Sequence, residues 1–345
     1  MKISHKKNTV LGLIILIMNF HVSADDLNTT RHTITTPPPI SGRAATAVED
    51  ILPADVLARV KLVQDELELI RYELGKPKNI QPELNVTDAA PREVYYQALT
   101  MFQKANRLAF EHTGITNKSP ITPPIDSIRP AHVWHNANQV LKRVLLVKES
   151  IGVTKESQEK IQDEATTPTD VFRLCIQVNR QLNLLLEQRF SPSDVFQQVT
   201  LATNYSARLI AKFPNVTRRP EAARFEHGKT PADVYRRLQS IYQNVRKLAL
   251  FSQLKMLNFQ LDKHAINKIT PSDVYDVASL LVSELSYIHS KLDGSQPPEK
   301  VYYPGKKFPA HVYQRAGILN SQIDSLLVKV AQNPNWLSQN SNLNQ

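Results

Sequence analysis

One short phrase recurs along the chain and constrains everything else. Proline stands at positions 53, 91, 130, 168, 192, 231, 271 and 309, and valine follows three places later each time, at Val56, Val94, Val133, Val171, Val195, Val234, Val274 and Val312. In four copies the phrase is nearly verbatim: TPTDVF from Thr167, SPSDVF from Ser191, TPADVY from Thr230 and TPSDVY from Thr270. Successive prolines are 38, 39, 38, 24, 39, 40 and 38 residues apart. A fixed period near 39 marks a repeat architecture. The one short step divides the repeats into two sets of four, which reads as an internal duplication.

The phrase has a direct physical meaning. Thr or Ser at the N-cap accepts a hydrogen bond from an orphan backbone N–H. Proline at the first helical position loses nothing, because its missing N–H has no partner there. Aspartate at the third position closes a capping box and favours the positive end of the helix dipole. Other copies relax this pattern, with Glu93, His132 or His311 in the aspartate slot. After each phrase, apolar residues recur at helical steps, as in Val171, Cys175, Val178, Leu182 and Leu185. Such steps put them on one stripe of a helix. The sequence contains no convincing alternating strand.

The expected fold class is therefore all-α: eight long helices from a ~39-residue repeat, arranged as two four-helix halves. The linkers between helices are long and rich in proline. About 14 extended residues reach roughly 45 Å, further than a helix of this length. Each linker is long enough to run back along the bundle, so that helices within a half start at one end and lie parallel. The tight junction near residue 190 is expected to turn the second half around. An α-solenoid with small helices inside the linkers, for instance over KESQEKIQDEA, is the alternative.

The expected domains are a signal peptide over 1–24, a disordered segment over 25–45, the first half over 46–190, the second over 191–334 and a disordered tail over 335–345. The basic MKISHKKNTV, the apolar LGLIILIMNF and the ending HVSA resemble an export signal cleaved near Ala24, which points to a periplasmic or secreted protein. The apolar run is short for a membrane span, and no integral membrane segment is expected after cleavage. Cys175 is the sole cysteine, so no internal disulfide forms. A bacterial periplasm suits such a chain.

The chain contains 9 glycines. That scarcity argues against glycine-rich phosphate loops, and the usual nucleotide, hydrolase and haem signatures are missing. His132 and His135 lie three apart on one helix, but without a second ligand pair a capping role explains His132 better. No cofactor and no metal are expected. A buried, inert thiol is the expected state of Cys175.

Two sets of residues stand out as candidates. The position after the valine is aromatic in seven copies, at Tyr95, Trp134, Phe172, Phe196, Tyr235, Tyr275 and Tyr313. These form a candidate aromatic collar, against the plainer expectation that each ring packs into the core. The chain carries a formal charge of +10, and residues 208–268 hold 13 basic side chains against 4 acidic ones. Arg218, Arg219, Arg224, Arg236, Arg237, Arg246 and Lys247 form a candidate anion-binding surface, fit for an acidic protein, an anionic glycan or a membrane surface. An export signal argues against nucleic acid.

The functional expectation is an exported, non-enzymatic binding or scaffold protein whose basic second half meets an acidic partner or anionic surface. The alternative is a periplasmic small-ligand receptor or sensor with a pocket at the aromatic helix starts. An enzyme with a site scattered over several helices is the third.

Overall fold

The computed structural model describes residues 51–160, 163–260, 268–333 and 335–337. Among them the chain forms eight α-helices: α1 (Pro53–Glu73), α2 (Pro91–Thr113), α3 (Pro130–Ser150), α4 (Pro168–Leu185), α5 (Pro192–Ile210), α6 (Pro231–Phe251), α7 (Pro271–Ser290) and α8 (Pro309–Gln332). Every helix begins on a proline of the repeated phrase. At Thr230 the capping box closes both ways: Asp233 N–H donates to Thr230 Oγ1 at 3.3 Å, and Thr230 N–H donates to Asp233 Oδ2 at 2.9 Å. Thr167 and Thr270 do the same with Asp170 and Asp273. Where the cap has no hydroxyl, the other half of the box survives. Leu52 N–H donates to Asp55 at 2.8 Å and Ala90 N–H to Glu93 at 2.9 Å. His132 and His311 fill the same slot, each Nδ1 accepting from the cap's N–H at 3.0 and 3.2 Å.

The packing order is the same in each set of four. Helix α1 packs on α3 and α4, and α2 packs on the same two; α5 packs on α7 and α8, and α6 packs on those two. The starts of α1–α4 converge, with Pro53, Pro91, Pro130 and Pro168 and their valines around one small apolar gap. The starts of α5–α8 converge likewise around Pro192, Pro231, Pro271 and Pro309. Four helices that start together and pack together run in one direction.

The linkers make this possible by running back along helices. The α1–α2 linker returns along α4: Gln181 bonds Pro77 O, Arg180 bonds Pro82 O, and Arg173 bonds Val86 O. In the second half the α5–α6 linker returns along α8, where Gln322 bonds Arg218 O and Gln314 bonds Ala223 O. The α3–α4 linker follows α1 through Glu66 and Arg59, and the α7–α8 linker follows α5 through Arg208 and Gln197. Extended linkers leave backbone groups open, and these side chains satisfy them, except Arg59, which pairs with the Glu159 carboxylate.

The two sets meet chiefly where α2 lies against α7. Arg92 is beside Glu284, while Lys104 is beside Ser272. As α2 advances α7 recedes, so the second set runs opposite to the first. Helix α7 is buried on all sides from Ser272 to Leu285, as expected of a central helix.

Three expectations need correction or limits. Two short strands are present, β1 (Asn85–Thr87) and β2 (Asn258–Gln260), paired antiparallel with Val86 opposite Phe259. At three residues each they are too short for an alternating pattern to show. The tail expected to be disordered over 335–345 begins with a docked residue: Trp336 is buried, stacks near Phe213 and donates from Nε1 to Ser252 Oγ at 2.9 Å. An indole with apolar and hydroxyl partners outweighs the polar residues around it. The described part of KESQEKIQDEA is not helical, and its Glu159 carboxylate binds Arg59 at 2.8 Å. The expected signal peptide and the segment 25–45 lie outside the described residues. No described helix is long and apolar enough to cross a membrane.

Candidate functional site

A cleft of about 940 Å³ opens between α2, α5 and α7. The α2–α3 linker and the α7–α8 linker form its two walls, through Ser119–Asp126 and Ser295–Val301. The walls are fastened. Asp126 accepts from Lys291 at 2.6 Å and from Ser290 at 3.0 Å, and Gln197 donates to Val301 O.

The floor is neutral and rich in hydrogen-bonding groups. Tyr275 on α7 sits at its centre. Its hydroxyl donates to Gln103 on α2 at 2.7 Å and accepts from Gln198 on α5 at 2.9 Å. One phenol thus ties three helices together. Its ring meets Phe190 edge-on, with centroids 4.7 Å apart. Thr100 and Ser279 face each other at 3.4 Å across α2 and α7. Further along, the Tyr205 and His289 rings lie 5.5 Å apart, edge to face. Burial lowers the His289 pKa, and nearby Arg208 and Lys212 lower it further, so the imidazole is neutral near pH 7. Burial raises the Tyr96 hydroxyl well above its ordinary value, which keeps that phenol a neutral donor. Most charged side chains at the rim are paired, Arg107 with Asp194 at 2.9 Å and Asp126 with Lys291; Lys300 adds an exposed cation at the edge of the α7–α8 wall.

Behind the floor lies a buried polar layer. Lys104 donates to Ser272 Oγ at 2.7 Å, to Asn179 O at 3.2 Å and to Asp276 at 3.3 Å. Arg180 reaches Asp273 at 3.3 Å. A second buried group joins Glu93, Arg92 and Glu284, with Arg92 at 2.6 Å from the first carboxylate and 3.4 Å from the other. Burial and the facing Glu93 push the Glu284 carboxyl well above the usual range, against the pull of Arg92.

The aromatic positions do not share one environment. Tyr95, Phe172, Tyr235 and Tyr275 are buried. Trp134, Phe196 and Tyr313 are half-buried beneath cations, with Arg59 at 5.2 Å, Arg315 at 4.9 Å and Arg237 at 3.3 Å from the respective ring centres. Of the seven, Tyr275 lines the large cleft.

The basic candidates also divide. Arg218, Arg219 and Arg224 are exposed on the linker held against α8. Arg236 is tied to Asp233 at 3.1 Å, Arg246 to Asn258 at 3.0 Å and Lys247 to Asn244 at 3.4 Å. Arg237 lies over Tyr313 and donates to its carbonyl at 2.8 Å. A depression of about 360 Å³ holds Arg236, Arg237 and Tyr313 together. Cys175 is fully buried, which pushes its thiol up to about 12. Among the described residues no three His, Cys, Asp or Glu side chains are grouped to hold a metal ion.

Sequence reasoning missed Gln103, Gln198, Tyr205, His289 and Lys104. The lysine left a trace: it falls inside the apolar stripe of α2, beside Met101, Ala105 and Leu108. The others look like ordinary polar residues of amphipathic helices. Comparison with family models, with curated proteins and with solved structures gave no match for this chain.

Proposed function

We propose that this is an exported, non-enzymatic binding protein of the receptor kind, with its ligand held in the cleft between α2, α5 and α7. Two parallel four-helix halves, related by internal duplication and reversed against each other, frame that cleft. The observation that carries the reading is the cleft itself: about 940 Å³, at the upper end of the range for small-molecule sites. Its floor of amides, hydroxyls and phenols, with Arg107, Asp194, Asp126 and Lys291 paired off and Lys300 confined to the rim, suits an uncharged polar ligand. A neutral floor spares such a ligand the cost of facing unpaired charge.

A second reading retains the basic second half as the contact for an acidic partner. The exposed Arg218, Arg219 and Arg224 support it.

A thermal-shift screen of the mature protein separates the two. Uncharged sugars and short neutral peptides are expected to raise Tm in a way that salt leaves unchanged, because ligand binding to the folded state stabilises it. Ser279→Phe, which fills the floor, is expected to abolish that rise. Stabilisation by polyanions alone, lost on adding salt, would shift the function to the basic surface.

A further inference from the structure

We propose that the α7–α8 linker and the start of α8 form a docking surface for an anionic lipid bilayer. The inference is independent of the cleft's ligand. Tyr302, Tyr303 and Phe308 are 84%, 65% and 54% exposed, three large aromatic side chains within seven residues. Lysines stand among them at 300, 306 and 307, and no carboxylate occurs from Lys300 to Ala310. Gly305, at a φ of +73°, turns the linker between the tyrosines and the lysines.

The surface continues onto the α5–α6 linker through a row of rings. Phe308 and His311 lie 5.9 Å apart, His311 and Phe225 5.0 Å, and Phe225 and His227 4.9 Å. Arg224 is exposed beside Phe225. The neighbouring Glu226 is neutralised by Lys229 at 2.6 Å. The result is an exposed aromatic patch edged with positive charge.

That chemistry fits a bilayer better than an acidic protein. Tyrosine rings settle at the headgroup level, where an apolar body and a polar tip are both satisfied, and phenylalanine inserts its apolar ring at the acyl boundary. Lysine and arginine beside them meet the negative surface, each contributing about fivefold to binding.

The test is sedimentation of the full chain with vesicles of phosphatidylcholine, with and without phosphatidylglycerol. Binding is expected only with phosphatidylglycerol. The triple change Tyr302→Ser, Tyr303→Ser, Phe308→Ser and the double change Arg224→Glu, Lys306→Glu should each weaken it about tenfold or more. These side chains are exposed, and Phe308→Ser supplies a capping hydroxyl at the start of α8, so neither variant should melt much below the parent, and circular dichroism checks that. Failure to bind phosphatidylglycerol vesicles overturns the proposal. So does binding that the aromatic variant retains in full, which would mean that charge alone is recognised.

Discussion

Lys104 of α2 and Asp276 of α7 meet at 3.3 Å in the interior, at the seam where the two oppositely directed helix sets join. Burial lowers the Lys104 pKa, opposed by Asp276 and Asp273. Burial likewise raises the Asp276 carboxyl to about 6, against the pull of Lys104. Breaking such a pair from one side is costly, because it strands the other charge. Lys104→Met is expected to cost about 3 kcal/mol near pH 8. Lys104→Met with Asp276→Asn should recover much of that loss. Urea denaturation of the single and double variants measures both; additive losses would show that the two groups do not depend on each other.

The same carboxyl sets a pH dependence. Its folded pKa lies above the ordinary aspartate value, so folding favours the protonated form. Stability from this group is greatest below about pH 4 and falls as pH rises from about 4 to 6. Glu284, also raised by burial and by Glu93, contributes a loss of the same sign as pH rises. Asp276→Asn should flatten the stability profile across pH 4–6. Denaturation midpoints over that range decide it, and an unchanged slope in the variant would assign the effect elsewhere.

The eight helix starts differ in a way that mutation can read. Thr230 Oγ1 accepts from the Asp233 N–H. Ser191 donates its hydroxyl to Asp194 at 2.7 Å, with no cap bond from its side chain to the backbone. Thr230→Ala is therefore expected to cost about 1 kcal/mol and Ser191→Ala less. Thermal melts of the two variants compare them directly.

The arginines separate by burden. Arg237 covers Tyr313 and bonds its carbonyl, so Arg237→Glu should lower stability by about 1–2 kcal/mol. Changing Arg218, Arg219 and Arg224 together to Glu should leave stability within about 0.5 kcal/mol of the parent, since exposed sites are tolerant. Chemical denaturation of both variants provides the check, and heparin-column retention of the triple variant reports whether those arginines carry polyanion binding.

Much of the fold was legible because its instructions are local. A proline, with an acid or histidine two places on and a valine three places on, marks each of the eight described helix starts, and a hydroxyl cap precedes it in four. Linker length then allowed a common direction within each set without fixing it. What the sequence hid was assembled from distant pieces. The cleft takes Gln103, Gln198 and Tyr275 from three helices, and no spacing along the chain announces their meeting. The repeated aromatic position was visible, but its use depends on the neighbour: a core for Phe172, an arginine lid for Tyr313, a hydrogen-bonded post for Tyr275. The candidates Arg236, Arg237, Arg246 and Lys247 return to nearly the same face of α6 after ten residues, since three turns take about 10.8 residues, which reads as one charged stripe. Local partners at Asp233, Tyr313, Asn258 and Asn244 engage each of them separately.

The returning linkers also bear on how quickly such a chain finds its fold. Antiparallel bundles zip up helix against next helix through short loops. Here α1 pairs with α3 and α4, and α5 with α7 and α8, across one or two whole repeats, and the consecutive partners α2/α3 and α6/α7 are joined by full returning linkers. Contacts between distant parts of a chain slow folding, because the loop must close before any contact forms. This protein is therefore expected to be helical in content yet slower to fold than helical content alone suggests, and its central seam cannot close until α7, the seventh of the eight described helices, has left the ribosome.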